Sequence, residues 1–153
     1  MFYNIFNKKW FRSFLFLFFI SLQNSSAQEL YYKSDLTASL AYERYKNGVL
    51  IIDIRTPQEY ENDHIPGSVL IPAFFEKNKE RIFNENFIDQ IDAALKGDMD
   101  KEVMLICRSG SRTKFAANLL GKEGYTNVHN ISHGFRTSKY KDDWTDLNLP
   151  IEK

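Results

Sequence analysis

The chain has 153 residues, with 20 Lys or Arg against 20 Asp or Glu and a formal net charge of zero at pH 7. That length allows one ordinary domain, and a balanced charge with no clustered basic face excludes binding driven by nucleic-acid phosphates. Three scattered histidines and one cysteine lack the spacing of a zinc site, so neither a metal nor a cofactor is expected.

The N-terminus has a basic stretch (Lys8, Lys9, Arg12), an apolar run from Phe14 to Ile20, and polar residues ending in Ser25-Ser26-Ala27, a small-x-small pattern that a signal peptidase accepts. Residues 1–27 therefore read as a cleaved secretion signal and 28–153 as one domain, exported to a periplasm or the external medium. Phe11 to Leu22 is only 12 residues and contains Arg12. A bilayer span takes about 20 apolar residues, so no stable membrane anchor is expected after cleavage. Without the signal's three basic residues, 17 basic groups face 20 acidic ones.

From there the elements alternate. A helix is expected over Asp35 to Lys46, with Gly48 just past its end, and then a buried strand, Val49 to Ile52, before Asp53. Pro57 to Asn62 suits a short helix, with Pro57 in the first turn and Thr56 as its cap. Ile65-Pro66-Gly67 marks a turn into a strand at Val69-Leu70-Ile71, and Ala73 to Glu85 has no periodicity that assigns it. Asn86 to Lys96 reads as a helix followed by Gly97, Val103 to Ile106 as a strand, and Thr113 to Lys122 as a helix closed by Gly121 and Gly124. Val128 to Ile131 is a further strand. Runs apolar at every position need cover on both faces, which makes this an α/β chain with a mainly parallel sheet and helices on both sides. Phe74, Phe75, Phe83 and Phe87 are expected first as core and second as an apolar wall beside a cleft.

A single cysteine can form no internal disulfide, and composition alone would bury it as a small hydrophobe. Its surroundings argue for chemistry. Cys107-Arg108-Ser109-Gly110-Ser111-Arg112-Thr113 follows a strand and opens a helix. A loop of small residues can turn successive backbone N–H groups onto one point, and the helix adds its unpaired first-turn donors and positive dipole end. Such surroundings commonly lower a thiol pKa from about 8.5 to between about 3.5 and 7.5, so a nucleophilic thiolate is expected at this position. Attack on a sulfane sulfur would leave a persulfide whose outer atom lies among the same donors, and an external acceptor would then remove it.

Cys107 to Arg112 resembles the six-residue active-site loop of the rhodanese family. Leu50 to Arg55, with Glu59-Tyr60 and His64-Ile65-Pro66-Gly67, resembles that family's second signature. A similar tail follows through Gly121 to Tyr125, Val128 and His133-Gly134-Phe135-Arg136, although His133 stands where the family commonly has a glycine. The resemblance implies a rhodanese-like α/β fold with five strands and a sulfurtransferase that moves sulfur from a donor such as thiosulfate to cyanide, a thiol or a protein acceptor. It implies Cys107 as the catalytic residue, with Arg108, Ser109, Gly110, Ser111, Arg112 and Thr113 binding substrate. Both arginines are expected to attract anionic donors. Asp53, Arg55, Glu59 and His64 are read as supporting residues: Asp53 bonding loop backbone, Arg55 paired with Glu59 one turn on, and His64 bridging loops. Relatives that hydrolyse phosphate esters have one more residue in the loop, so phosphatase or arsenate reductase chemistry is disfavoured. A persulfide carrier or anion-binding module without turnover is the main rival, and redox sensing by Cys107 is a third reading.

Overall fold

The computed structural model describes residues 30–153, and the expected signal, residues 1–27, lies outside them. Along the chain the elements are β1 (Ser34–Leu36), α1 (Ala38–Lys46), β2 (Leu50–Asp53), α2 (Pro57–Asn62), β3 (Val69–Leu70), β4 (Phe74–Lys77) and β5 (Glu80–Phe83). They continue with α3 (Phe87–Leu95), β6 (Val103–Ile106), α4 (Ser111–Lys122) and β7 (Val128–Ile131). Five strands form one parallel sheet in the order β1-β7-β6-β2-β3, while β4 and β5 pair antiparallel as a separate hairpin.

The apolar runs of β2 and β6 lie in register, Ile52 beside Leu105 and Ile51 beside Met104. Strand side chains alternate between faces, so each run feeds two cores. Ile52, Leu105 and Val128 pack with Phe87, Ile91 and Leu95 of α3 and with Ala116, Ala117 and Leu120 of α4. On the other face Ile51, Met104, Ile106 and Ile131 meet Ala38 and Ala41 of α1 together with Phe135 and Trp144. Full burial of a Leu or Ile side chain contributes about 1.5–3 kcal/mol, which explains why β2 and β6 carry no polar residue before their C-terminal ends.

Two expectations are corrected, and the stretch left unassigned takes a definite form. The helix expected from Asp35 starts at Ala38, because Ser34-Asp35-Leu36 is drawn into the sheet as an edge strand against His129, Asn130 and Ile131. Thr37 then caps α1, accepting from the Leu40 N–H at 3.3 Å. Ala73 to Glu85 contains the hairpin, whose two-residue loop places Asn78 (φ 54°) and Lys79 (φ 67°) in the left-handed region that such tight turns require. Gly121 lies inside α4 instead of closing it, where a side chain would strike the Tyr31 carbonyl. Thr56 does cap α2, and Glu59 completes the reciprocal capping box.

Candidate active site

Cys107 follows the last residue of β6, and the next six residues turn into α4. The carbonyl of Cys107 accepts from the Phe135 N–H (2.8 Å) and that of Arg108 from the Arg136 N–H (3.1 Å). In a trans peptide the C=O and the following N–H point in opposite directions, so these outward carbonyls turn the Arg108 and Ser109 N–H groups inward. Gly110, at φ 83°, is the N-cap of α4 and offers no side chain to cap it. Its own carbonyl is taken by the Lys114 N–H (3.0 Å) and the Thr113 hydroxyl (2.8 Å). Among the described residues, none of the backbone N–H groups from Arg108 to Thr113 donates to a protein acceptor. Six consecutive unpaired donors around a helix N-terminus offer hydrogen bonds that an anion could accept.

Two glycines make this turn possible. A Cβ on Gly110 would lie 1.7 Å from the Ser132 carbonyl oxygen, and one on Gly134 would lie 2.5 Å from that of Cys107. The loop and the 132–136 segment are therefore packed backbone to backbone. The thiol is fully buried, with Sγ 3.6 Å from Thr113 Oγ1. Thus the sulfur lies beneath the turn that closes the loop and is covered by protein.

The model of the Rhodanese-like domain family matches residues 37–139. The chain belongs to that family. It is 33% identical over 108 residues to the uncharacterized protein RP600 of Rickettsia prowazekii, covering 68% of this chain and 83% of that one. The thiosulfate sulfurtransferase GlpE of Pseudomonas syringae is 30% identical over 90 residues, with coverage of 59% and 72% respectively. The crystal structure of Rv0390 from M. tuberculosis superposes with a TM-score of 0.63 at 22% identity, covering 79% of this chain and 98% of that one, a likeness of fold.

Within this rhodanese-like domain the charges around the loop are largely committed. Arg112 donates to both oxygens of Glu59, each at 2.8 Å, tying the start of α4 to α2. Burial pushes the Glu59 carboxyl up, but the Arg112 guanidinium and the Thr56 N–H overcome this and hold it at about 2. The expected pairing of Arg55 with Glu59 is thus corrected, because Arg112 takes that carboxylate. Arg55 instead turns back on Asp53, with contacts of 2.7–3.0 Å, and donates to the Asp63 carbonyl at 2.7 Å. Asp53 is fully buried and also accepts from the Arg55 N–H; burial raises its carboxyl above the ordinary range despite the guanidinium. The Arg55 guanidinium lies 3.9 Å over the Phe135 ring. It therefore supports the segment that orients the loop carbonyls.

Of the two loop arginines, only Arg108 is without an ion-pair partner among the described residues. It lies between two clefts. One, of about 230 Å³, is lined by Thr56, Glu59 and Arg112 together with Phe74, Phe75, Glu76 and Arg81 of the hairpin. The other, of about 160 Å³, is bounded by Arg55, Glu59, Asp63, Phe135 and Arg136. Phe87 is core, while Phe74 and Phe75 line the larger cleft, so the phenylalanines divide between the two roles considered for them. Glu76 and Arg81 escaped the sequence reading; the available signal was a pair of opposite charges set among Phe74, Phe75, Ile82 and Phe83.

His64 makes its contacts with Tyr60 and the C-terminal Glu152. It stacks on Tyr60 (3.8 Å), its Nδ1 lies 3.0 Å from the Tyr60 carbonyl, and its Nε2 lies 3.1 Å from Glu152. His133 stacks on Tyr140 at 4.1 Å and approaches Asp142, which fastens the 137–143 segment beside the loop.

Proposed function

We propose that this rhodanese-like domain is an exported sulfurtransferase in which Cys107 accepts a sulfane sulfur as a persulfide and passes it to a thiophilic acceptor. The observation that carries the reading is the row of six unpaired N–H groups from Arg108 to Thr113 next to the cysteine. A donor such as thiosulfate would enter past Arg108. The Cys107 thiolate attacks its outer sulfur, a new S–S bond forms, and sulfite leaves with the electron pair of the bond that breaks. That bond is about 2.05 Å long, so the added sulfur is displaced toward the loop by roughly its own diameter. There its negative charge meets donors that need no rearrangement. Thr113 can serve both states: its hydroxyl donates to Gly110 in the thiol form and can turn to the sulfur of an anion.

Purified protein given thiosulfate and cyanide is expected to form thiocyanate. Cys107→Ser is expected to abolish turnover by at least about a thousandfold while the circular-dichroism spectrum is kept. Retained turnover in that variant removes the mechanism. The six-residue span from Cys107 to Arg112 speaks against phosphate esters.

Complete burial of Cys107 favours a second reading, a persulfide carrier that holds sulfur for a protein acceptor without rapid release. Intact-mass measurement separates the two. A stable gain of one sulfur atom that cyanide and small thiols do not remove supports the carrier, and rapid loss to them supports the enzyme.

A further inference from the structure

The 134–136 segment that orients the cysteine loop is itself held from behind. The Trp144 N–H donates to the Gly134 carbonyl and the Thr145 N–H to that of Phe135, each at 3.1 Å. The Phe135 and Arg136 N–H groups, at the other ends of those same peptide units, donate to the carbonyls of Cys107 and Arg108. Because C=O and N–H point opposite ways across a trans peptide, this makes two rows of peptide groups aligned head to tail. One runs from Trp144 through the Gly134–Phe135 peptide to the Cys107 carbonyl and ends on the Arg108 N–H. The other runs from Thr145 through the Phe135–Arg136 peptide to the Arg108 carbonyl and ends on the Ser109 N–H. Hydrogen bonds arranged in such a row polarise one another, which strengthens the terminal donors.

One buried carboxylate sets the start of both rows. Asp143 is 1% exposed, and its Oδ1 accepts from the Thr145 N–H (3.0 Å), the Thr145 hydroxyl (3.0 Å) and the Asp146 N–H (2.9 Å). Its Oδ2 accepts from the Thr137 N–H at 2.6 Å, directly after Arg136. Burying a carboxylate is costly unless its oxygens are bonded, and here the bonds go to the two stretches that the rows connect. The carboxylate thereby ties residue 137 to residues 145–146 and aims the Trp144 and Thr145 N–H groups at their carbonyls. Asp143, Trp144 and Thr145 lie beyond residues 37–139, the stretch that the family model matches.

Resting on the sulfur-transfer reading, we propose that Asp143 is a positioning residue for Cys107, fixing through the two peptide rows the Arg108 and Ser109 N–H groups that a sulfur anion meets. It acts through donor geometry: a hydrogen bond to a charged form lowers the pH at which that form appears. Without the carboxylate the 134–136 segment and the loop carbonyls relax, and the anion is stabilised less. A lost core contact acts otherwise, weakening the fold and leaving the ionisation of Cys107 where it was.

The test is a titration of the thiol by its ultraviolet thiolate absorbance, with the Cys107→Ser protein subtracted, on variants whose folding is checked by circular dichroism. Asp143→Ala is expected to raise the midpoint by about half a pH unit and to lower kcat for thiocyanate formation about threefold. Asp143→Asn keeps the acceptor for Thr145 and Asp146 and should restore most of both. Leu149→Ala, which removes packing from the core cluster that contains Trp144, should weaken the protein in urea and leave the titration unchanged. Where the alanine variant at 143 does not fold, Asp143→Ser, with one acceptor oxygen, is read in its place and should raise the midpoint by a smaller amount. A midpoint that neither variant moves, or that Leu149→Ala moves equally, overturns the positioning role. The titration needs no sulfur donor, so a parent protein that forms no thiocyanate overturns the enzymatic reading while the titration still decides the role of Asp143.

Discussion

The Cys107 loop and the β4–β5 hairpin face one cleft, but they are held in opposite ways. The loop is fixed from outside: its carbonyls are bound by the 135–136 backbone, Gly110 and Gly134 let two segments touch, and Arg112 is clamped by Glu59. The hairpin forms its own two-stranded sheet and meets the body through the rings of Phe74 and Phe83 against Phe87 and Phe115. A loop that stabilises a developing anion must hold its donors before the charge arrives. A hairpin that lines the cleft has only to present its side chains there.

Three measurements sharpen this contrast. Gly110→Ala should have the largest effect, because it adds a left-handed-region penalty to a Cβ lying 1.7 Å from backbone. A loss of about 3 kcal/mol or more in urea unfolding is expected, together with loss of thiocyanate formation. Tolerance of that alanine at full activity would mean that the loop is not held as described.

Glu59→Gln should come next, at about 1–2 kcal/mol, by leaving Arg112 half-buried without its partner. This change also carries a pH signature. The Glu59 carboxyl lies at about 2 against an ordinary 4.5, so its pairing stabilises the fold fully above that ordinary value. The contribution is lost progressively as pH falls from 4.5 toward 2. Unfolding measured across that window should show a shallower acid loss in the variant than in the parent; equal slopes would contradict the pairing.

The smallest effect belongs to the hairpin. Lys79→Gly relieves a side chain held at φ 67° and should stabilise by about 0.5–1 kcal/mol, raising Tm by a few degrees and leaving thiocyanate formation intact. Loss of that activity would show that the hairpin does more than line the cleft.

Much of the architecture was legible because buried parallel strands have an unmistakable pattern. Val103 to Ile106 and Val128 to Ile131 are apolar enough, or bounded clearly enough, to be read directly. Strand β1 was not legible. Ser34-Asp35-Leu36 has one apolar residue, and only pairing with β7 makes it a strand. The hairpin was missed for a related reason: Asn78-Lys79 lacks the glycine that usually announces such a turn. In the site, Arg55 and Glu59 lie four residues apart, the spacing of neighbours on a helix, which suggested an ion pair. Yet Arg55 precedes α2 and folds back onto β2.

The sequence by itself determined the fold family, the strand-loop-helix setting of Cys107 and the small residues that allow the loop to turn, because each depends on local pattern and backbone freedom. Tertiary structure alone decided which carboxylate holds Arg112, how deeply the thiol is buried, and that Arg81 shares a cleft with Arg108. These depend on residues brought together from distant parts of the chain, and no local periodicity encodes such meetings.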